Sequence, residues 1–417
     1  MLHHKQNTLA SSQSSPDDLP SHKEPLWTSS FIKIWIINLT LCGWNFMLIA
    51  PFPFYIKLLG GTEMLVGVTA GGFALASLIM RPLAGWIIDN RSRSNLLIWG
   101  LLSLILISLL LITIPVLSIA IILRIISGFL FSGAHTTSTA NAYEAIPQKR
   151  FGEGMGFLGL GNTLASALGP ALGLAIIAGL NFRALFAISI TALLVALFIA
   201  RKVSYKRVNQ PVYLPGCKKQ GFFSLFNADA LPASVLILLV SIPYGGVSIF
   251  IALYGEYFGL GSGGLFFALM ATGTGSTRLF SGQIADKRGE KPMVVLGNSS
   301  FLLALLSLLC ESSVSYYLSG LFFGFGFGLT FPAMHAMAMR VVPPEKRGSA
   351  SSTFLCSNDI GSGIGGLLAG WLVTIWGYRP MFSVMIIFII LSWLTYVLWA
   401  SKTPSAFKNY MRDHENT

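Results

Sequence analysis

Arg81-Pro82-Leu83-Ala84-Gly85-Trp86-Ile87-Ile88-Asp89-Asn90-Arg91-Ser92-Arg93 closes one long apolar segment and opens a basic turn. Its skeleton returns as Arg278-Leu279-Phe280-Ser281-Gly282-Gln283-Ile284-Ala285-Asp286-Lys287-Arg288, in which Arg, Gly, Asp and Arg each recur 197 residues on. A fixed offset near half of a 417-residue chain marks an internal duplication. The offset also relates Pro147-Gln148-Lys149-Arg150 to Pro344-Glu345-Lys346-Arg347. With an offset of 196, Asn162, Ser166 and Gly169 match Asn358, Ser362 and Gly365, and Arg183 and Phe186 match Arg379 and Phe382.

The composition says what solvent the two copies face. Hydrophobic residues make up 53% of the chain and charged residues only 11%, against about 25% charged in a soluble domain. So few charges cannot cover a globular surface, so the bilayer is the main solvent. About 20 apolar residues are needed per crossing, which predicts spans over 31–56, 64–89, 95–115, 117–142, 154–179 and 182–200, then 231–257, 263–286, 293–312, 315–340, 349–375 and 379–400. The expected fold is all-α, with twelve transmembrane helices in two six-helix bundles, 29–200 and 231–400. A polar tail (1–28), a basic linker (201–230, with a short interfacial turn around Phe222, Phe223 and Phe226) and a second tail (401–417) complete the chain.

Of the 28 Lys and Arg, only Lys57, Arg183 and Arg379 fall on one side of this topology and Arg81, Arg124 and Arg278 inside spans; the other 22 share the side of the termini. That bias places both termini in the cytoplasm and turns the net charge of +12 into a topology signal rather than a nucleic-acid footprint. Two halves in the same orientation fit parallel repeats, with a substrate site between them near the midplane. Cys42, Cys217, Cys310 and Cys356 are scattered, with no CxxC pair and no His/Cys cluster, so no metal site or disulfide framework is expected. His3, His4 and His22 belong to a solvated tail.

These residues resemble the major facilitator superfamily over the whole hydrophobic chain. Gly85, Asp89, Arg91 and Arg93 are similar to its signature between the second and third spans, with Asn90 and Ser92 as departures; Gly282, Asp286, Lys287, Arg288, Gly289 and Lys291 form a second copy. Arg124 with Gly128 resembles the in-span Arg motif of proton-coupled members. Gly169, Pro170 and Gly173 resemble the motif of proton-driven exporters, with Leu174 where a final Gly is usual. Thr330-Phe331-Pro332 and the Arg81-Pro82 pair add to a likeness to bacterial drug and metabolite exporters. The resemblance implies a latch at the two signatures that holds the halves together, and a transporter driven by a proton gradient, with no cofactor, in the bacterial inner membrane.

Physical chemistry singles out a few side chains. Asp359 is the only acid placed deep in a span. Desolvation favours its protonated form, so it is a candidate to bind the coupling proton or a cationic part of the substrate; an internal bond to Asn358 or Ser362 is the structural alternative. Arg124 is an in-span charge, and His135 lies eleven positions on, three helical turns along nearly one face. Arg124 is expected to relay protons or to hold an anionic substrate group, and His135 to support coupling or simply to pack, as His335 does. Trp44, Asn45, Tyr244 and Tyr254 are candidates to contact substrate. Taken with the resemblance, these imply a monomeric proton-coupled exporter of a small organic compound: a drug-like molecule, a metabolite or a siderophore. The alternative is an uptake permease for a sugar, carboxylate or other metabolite. A membrane enzyme or receptor has no nucleophile constellation or large soluble domain to support it.

Overall fold

The computed structural model describes residues 25–90, 93–147, 150–203, 227–288, 290–342 and 347–399. The side chains of 86, 89, 90, 93, 151, 152, 278–288, 347 and 348 lie outside the description. The described residues form helices joined by short turns: α1 (Ser29–Ile49), α2 (Pro51–Leu58), α3 (Glu63–Asn90), α4 (Arg93–Thr113), α5 (Leu117–Ala145), α6 (Phe151–Gly179) and α7 (Phe182–Arg201) in the first half. The second half holds α8 (Leu231–Tyr257), α9 (Gly263–Arg288), α10 (Lys291–Leu308), α11 (Ser313–Arg340), α12 (Arg347–Trp376) and α13 (Tyr378–Leu398). The linker turn around Phe222, Phe223 and Phe226, both tails and Pro344-Glu345-Lys346 lie outside the described residues.

Among the described residues, twelve helices are long enough to cross a bilayer, and eleven of them are also strongly apolar. The twelfth, α9, carries Thr272, Thr274, Ser276, Thr277 and Arg278 in mid-course, which lowers its hydropathy. The expected first span, 31–56, is two helices rather than one. Pro51 supplies no backbone N–H to α1, and the helix restarts at Ala50–Pro51.

The duplication is visible in packing. A methyl group on Gly128 of α5 would strike the carbonyl oxygen of Phe73 on α3, and one on Gly324 of α11 would strike that of Met270 on α9. Both glycines let two helices approach to backbone contact. Ser77 donates to the Gly128 carbonyl at 2.9 Å, and Thr274 repeats the bond to Gly324 at 3.2 Å. At the mouth of each bundle a buried tyrosine donates to a carbonyl at 2.7 Å: Tyr55 to Leu111, and Tyr254 to Leu308. Each tyrosine ring meets a phenylalanine edge-on, Phe186 at 5.3 Å and Phe382 at 4.9 Å.

The halves join along two seams, α3 against α12 and α6 against α9. At the face opposite the termini α3 and α12 touch through backbone: a methyl on Gly67 would lie 2.7 Å from the Gly366 oxygen and 3.0 Å from the Gly370 Cα. There too a methyl on Gly263 of α9 would lie 3.1 Å from Leu174 of α6.

Overpacking such a site costs about 1–3 kcal/mol. Gly128→Leu is therefore expected to lower the thermal midpoint of purified protein, and Gly43→Ala to leave it within error, because a methyl at Gly43 meets nothing within 4 Å. Size-exclusion chromatography after graded heating measures both.

Candidate functional site

Two charged sites define the interior, one partly buried and one fully buried. The first belongs to the α3–α12 seam. Arg81 donates from Nε and Nη2 to one oxygen of Asp359, at 2.6 and 2.5 Å. The side chains are 27% and 20% exposed. Asp359 lies twelve residues into α12, roughly 18 Å from its start, so the pair sits well inside the bundle and ties one half to the other.

The neighbouring polar groups are engaged elsewhere. The Ser241 hydroxyl donates to Asn358 Oδ1 at 2.9 Å, as Cys42 donates to the equivalent Asn162 at 3.2 Å in the first half. The expected internal alternative for Asp359 is thus replaced by a partner from the other half. The sequence names Arg81 as a repeat member and Asp359 as a deep acid without joining them. The available signal was charge balance, since an in-span cation and the one deep acid are each costly alone.

The second charge is Arg124, buried at 6% exposure. Its guanidinium carbon lies 4.3, 5.4 and 5.7 Å from the ring centres of Phe73, Phe52 and Trp44. Nη2 donates to Asn45 Oδ1 at 3.4 Å, and Nη1 has no partner among the described residues. No ion pair to Arg124 is found among them. Each cation–π contact contributes about 0.5–2 kcal/mol, while removing an ion from water costs several kcal/mol. The cage offsets only part of that cost and leaves one donor idle. Phe73 precedes Arg81 by eight residues on α3, about 12 Å, so the two charges occupy separate levels.

The other expected residues sort themselves. Trp44 is 2% exposed, donates to Ser108 at 3.2 Å and lines the Arg124 cage; Asn45 holds Arg124. Tyr244 stacks on Phe327 at 4.2 Å and on Phe323 at 5.8 Å. Tyr254 is fully buried, and its hydroxyl is used by Leu308; this corrects it from a substrate contact to a packing corner. His135 stacks on Phe131 at 5.5 Å, and its Nε2 is buried without a partner among the described residues. His335 Nε2 bonds Ser351 at 2.9 Å. Phe52 and Phe73 are cage members that the sequence reading missed.

Gly169 and Gly173 press α6 onto Phe46 and Met47 of α1, with Pro170 inside the helix between them. Gly85 is partly buried near the terminal end of α3. Of the two signatures, Arg91 lies outside the described residues. So do the side chains of Asp89, Arg93, Asp286 and Arg288 and that of Arg278, while Gly282 falls within α9. No group of three His, Cys, Asp or Glu residues that could hold a metal occurs among the described residues.

A helical membrane protein of two repeated bundles, with a polar interior and charges on the seam, has the build of a secondary transporter. The family model for the Major Facilitator Superfamily matches residues 34–318 and 234–414, and the chain belongs to that superfamily. Its members are transporters rather than enzymes and need no cofactor, so this is a multi-pass transporter that moves a small molecule across a bilayer. The Staphylopine export protein of Staphylococcus aureus is 23% identical over 390 residues, covering 87% of this chain and 95% of that one. The Multi-drug resistance efflux pump PmrA homolog of Lactococcus lactis is 23% identical over 419 residues, covering 93% and 96%. The nucleoside transporter NupG shares the fold with a TM-score of 0.69 at 13% identity, covering 88% of this chain and 97% of that one. A bacterial homolog of the lysosomal transporter Spinster, inward-facing and occupied, does so with 0.70 at 14%, covering 90% and 96%.

Breaking a charge pair strands the surviving ion, whereas removing both need not destabilise. Arg81→Met alone is expected to lower the thermal midpoint, and Arg81→Met combined with Asp359→Leu to recover most of the loss. A double-mutant cycle in detergent measures the difference.

Proposed function

We propose that this protein is a proton-coupled exporter of a small organic compound, working by alternating access in a bacterial cytoplasmic membrane with both termini inside. The observation that carries the reading is the Arg81–Asp359 pair, an ionic bond across the α3–α12 seam. Opening that seam must separate the pair. A proton on Asp359 removes the carboxylate charge and weakens the bond, so protonation and seam opening favour one another. Binding of cargo on the cytoplasmic side and proton entry from outside then bias opposite states of one equilibrium.

Outward direction draws support from the exporter-like Gly169-Pro170 motif and from the two export-named relatives. The Gly67–Gly370 approach and the Gly263–Leu174 contact lie on the outer side in this orientation, where alternating access needs a closable gate. Gly85, Asp89, Arg91 and Arg93, with Gly282, Asp286 and Arg288, form the cytoplasmic latch of the opposite gate. Arg278 is the repeat partner of Arg81 at the second seam. A monomer contains both halves and suffices for the cycle.

Deleting the gene is expected to raise the cargo inside the cell and deplete it from the medium, read by untargeted metabolomics of both fractions; the reverse pattern identifies an uptake permease. Asp359→Asn is expected to abolish transport driven by a pH gradient in inverted vesicles. Full gradient-driven activity in that variant would remove Asp359 from coupling.

A further inference from the structure

Arg124 is a fixed positive charge that the described protein does not neutralise. Asp359, the acid within the seam, is spent on Arg81, about 12 Å further along α3. The surroundings of Arg124 are Trp44 and Asn45 from α1, Phe52 from α2 and Phe73 from α3. Asn45 occupies one arm of the guanidinium, and the other arm, Nη1, is buried and unused. A guanidinium keeps its proton at working pH, so a group that must load and release protons is poorly served by it. What a guanidinium does well is to bind a planar oxyanion through paired N–H donors. Replacement by a neutral residue would remove the cost of burying a lone charge, so its presence calls for a recurrent anionic visitor.

We propose that Arg124 and its ring of Trp44, Phe52 and Phe73 receive an anionic group of the transported compound, so that the cargo is an organic anion with a carboxylate that binds Nη1. The rings flank the guanidinium and exclude water, and they offer an apolar surface to the carbon skeleton beside the carboxylate. This rests on the transporter reading and names its cargo class; it does not depend on the direction of transport. The Arg81–Asp359 pair keeps the lower level neutral, so the cargo's charge is recognised at Arg124 and the coupling proton is handled elsewhere.

The test uses full-length protein in lipid nanodiscs without any gradient. Indole-3-acetate is the probe and indole-3-acetamide its neutral counterpart, titrated to millimolar concentration against the thermal midpoint and tryptophan fluorescence. The acetate is expected to raise the midpoint by several degrees, and the amide to leave it within about one degree. Arg124→Gln should lose the response to the acetate at least tenfold in apparent affinity, and Arg124→Lys should retain part of it. Without ligand, Arg124→Met should melt higher than the parent protein, because a lone buried charge is removed. An equal response to the amide, no response to the acetate, or an acetate response that survives Arg124→Gln each overturns the proposal. So does a lower midpoint for unliganded Arg124→Met, which would make the guanidinium a structural element. Binding in nanodiscs is blind to direction and coupling: a protein that binds the acetate through Arg124 yet imports its cargo keeps this inference and loses the export reading.

Discussion

An unpaired ion is costly in the bilayer, and one charge pair resolves this constraint for the α3–α12 seam. Arg81 and Asp359 come from different halves of a duplicated chain, so each half is incomplete in charge without the other. The same residues that make the halves cohere lie where they must come apart in an alternating-access cycle. An apolar seam of equal area would hold as well, but no proton could address it. The backbone contacts around Gly67 and Gly370 are the complementary device. They place no charge on the seam and let the helices close tightly at one end.

Much of this was legible in the sequence because it follows from periodic physical requirements. Hydrophobic length located the long helices but not the break at Ala50–Pro51 within the expected first span, and the constant offset marked the duplication. The structure shows that offset in matched contacts such as Gly128 with Phe73 and Gly324 with Met270. Two features were not legible for the same reason: they need distances between positions far apart in sequence. Asp359 is 278 residues from Arg81, and nothing in local pattern joins them. The Arg124 cage draws on three helices besides its own, and an aromatic residue in a span such as Phe52 or Phe73 reads equally as lipid-facing. Tyr254 fails the opposite way. A tyrosine in a membrane helix looks chemically useful, yet here its hydroxyl only satisfies the carbonyl of Leu308 at the end of α10.

The energetics separate two kinds of polar group. Ser77, Thr274, Tyr55 and Tyr254 spend their hydrogen bonds on nearby carbonyls and stiffen each bundle. These interactions are individually modest, about 1 kcal/mol each, and they recur in both halves. Arg124 and Asp359 do not recur: Gly320 or Leu321 and Thr163 stand at the equivalent positions. The repeated packing contacts are the frame of the molecule, and the Arg124 cage and the Asp359 carboxylate are added to it.

That contrast has a consequence for the history and the mechanics of the fold. With the offset of 196 that relates Asn162 to Asn358, the position equivalent to Asp359 is Thr163, whose hydroxyl bonds the Gly159 carbonyl of its own helix at 3.0 Å. The two seams have therefore diverged at this level: α12 presents an acid and α6 a hydroxyl. Among the described residues, the acid at this level belongs to the α3–α12 seam, so the two seams differ in charge where they match in position. The dyad axis survives in the shape of the molecule and is broken in its chemistry.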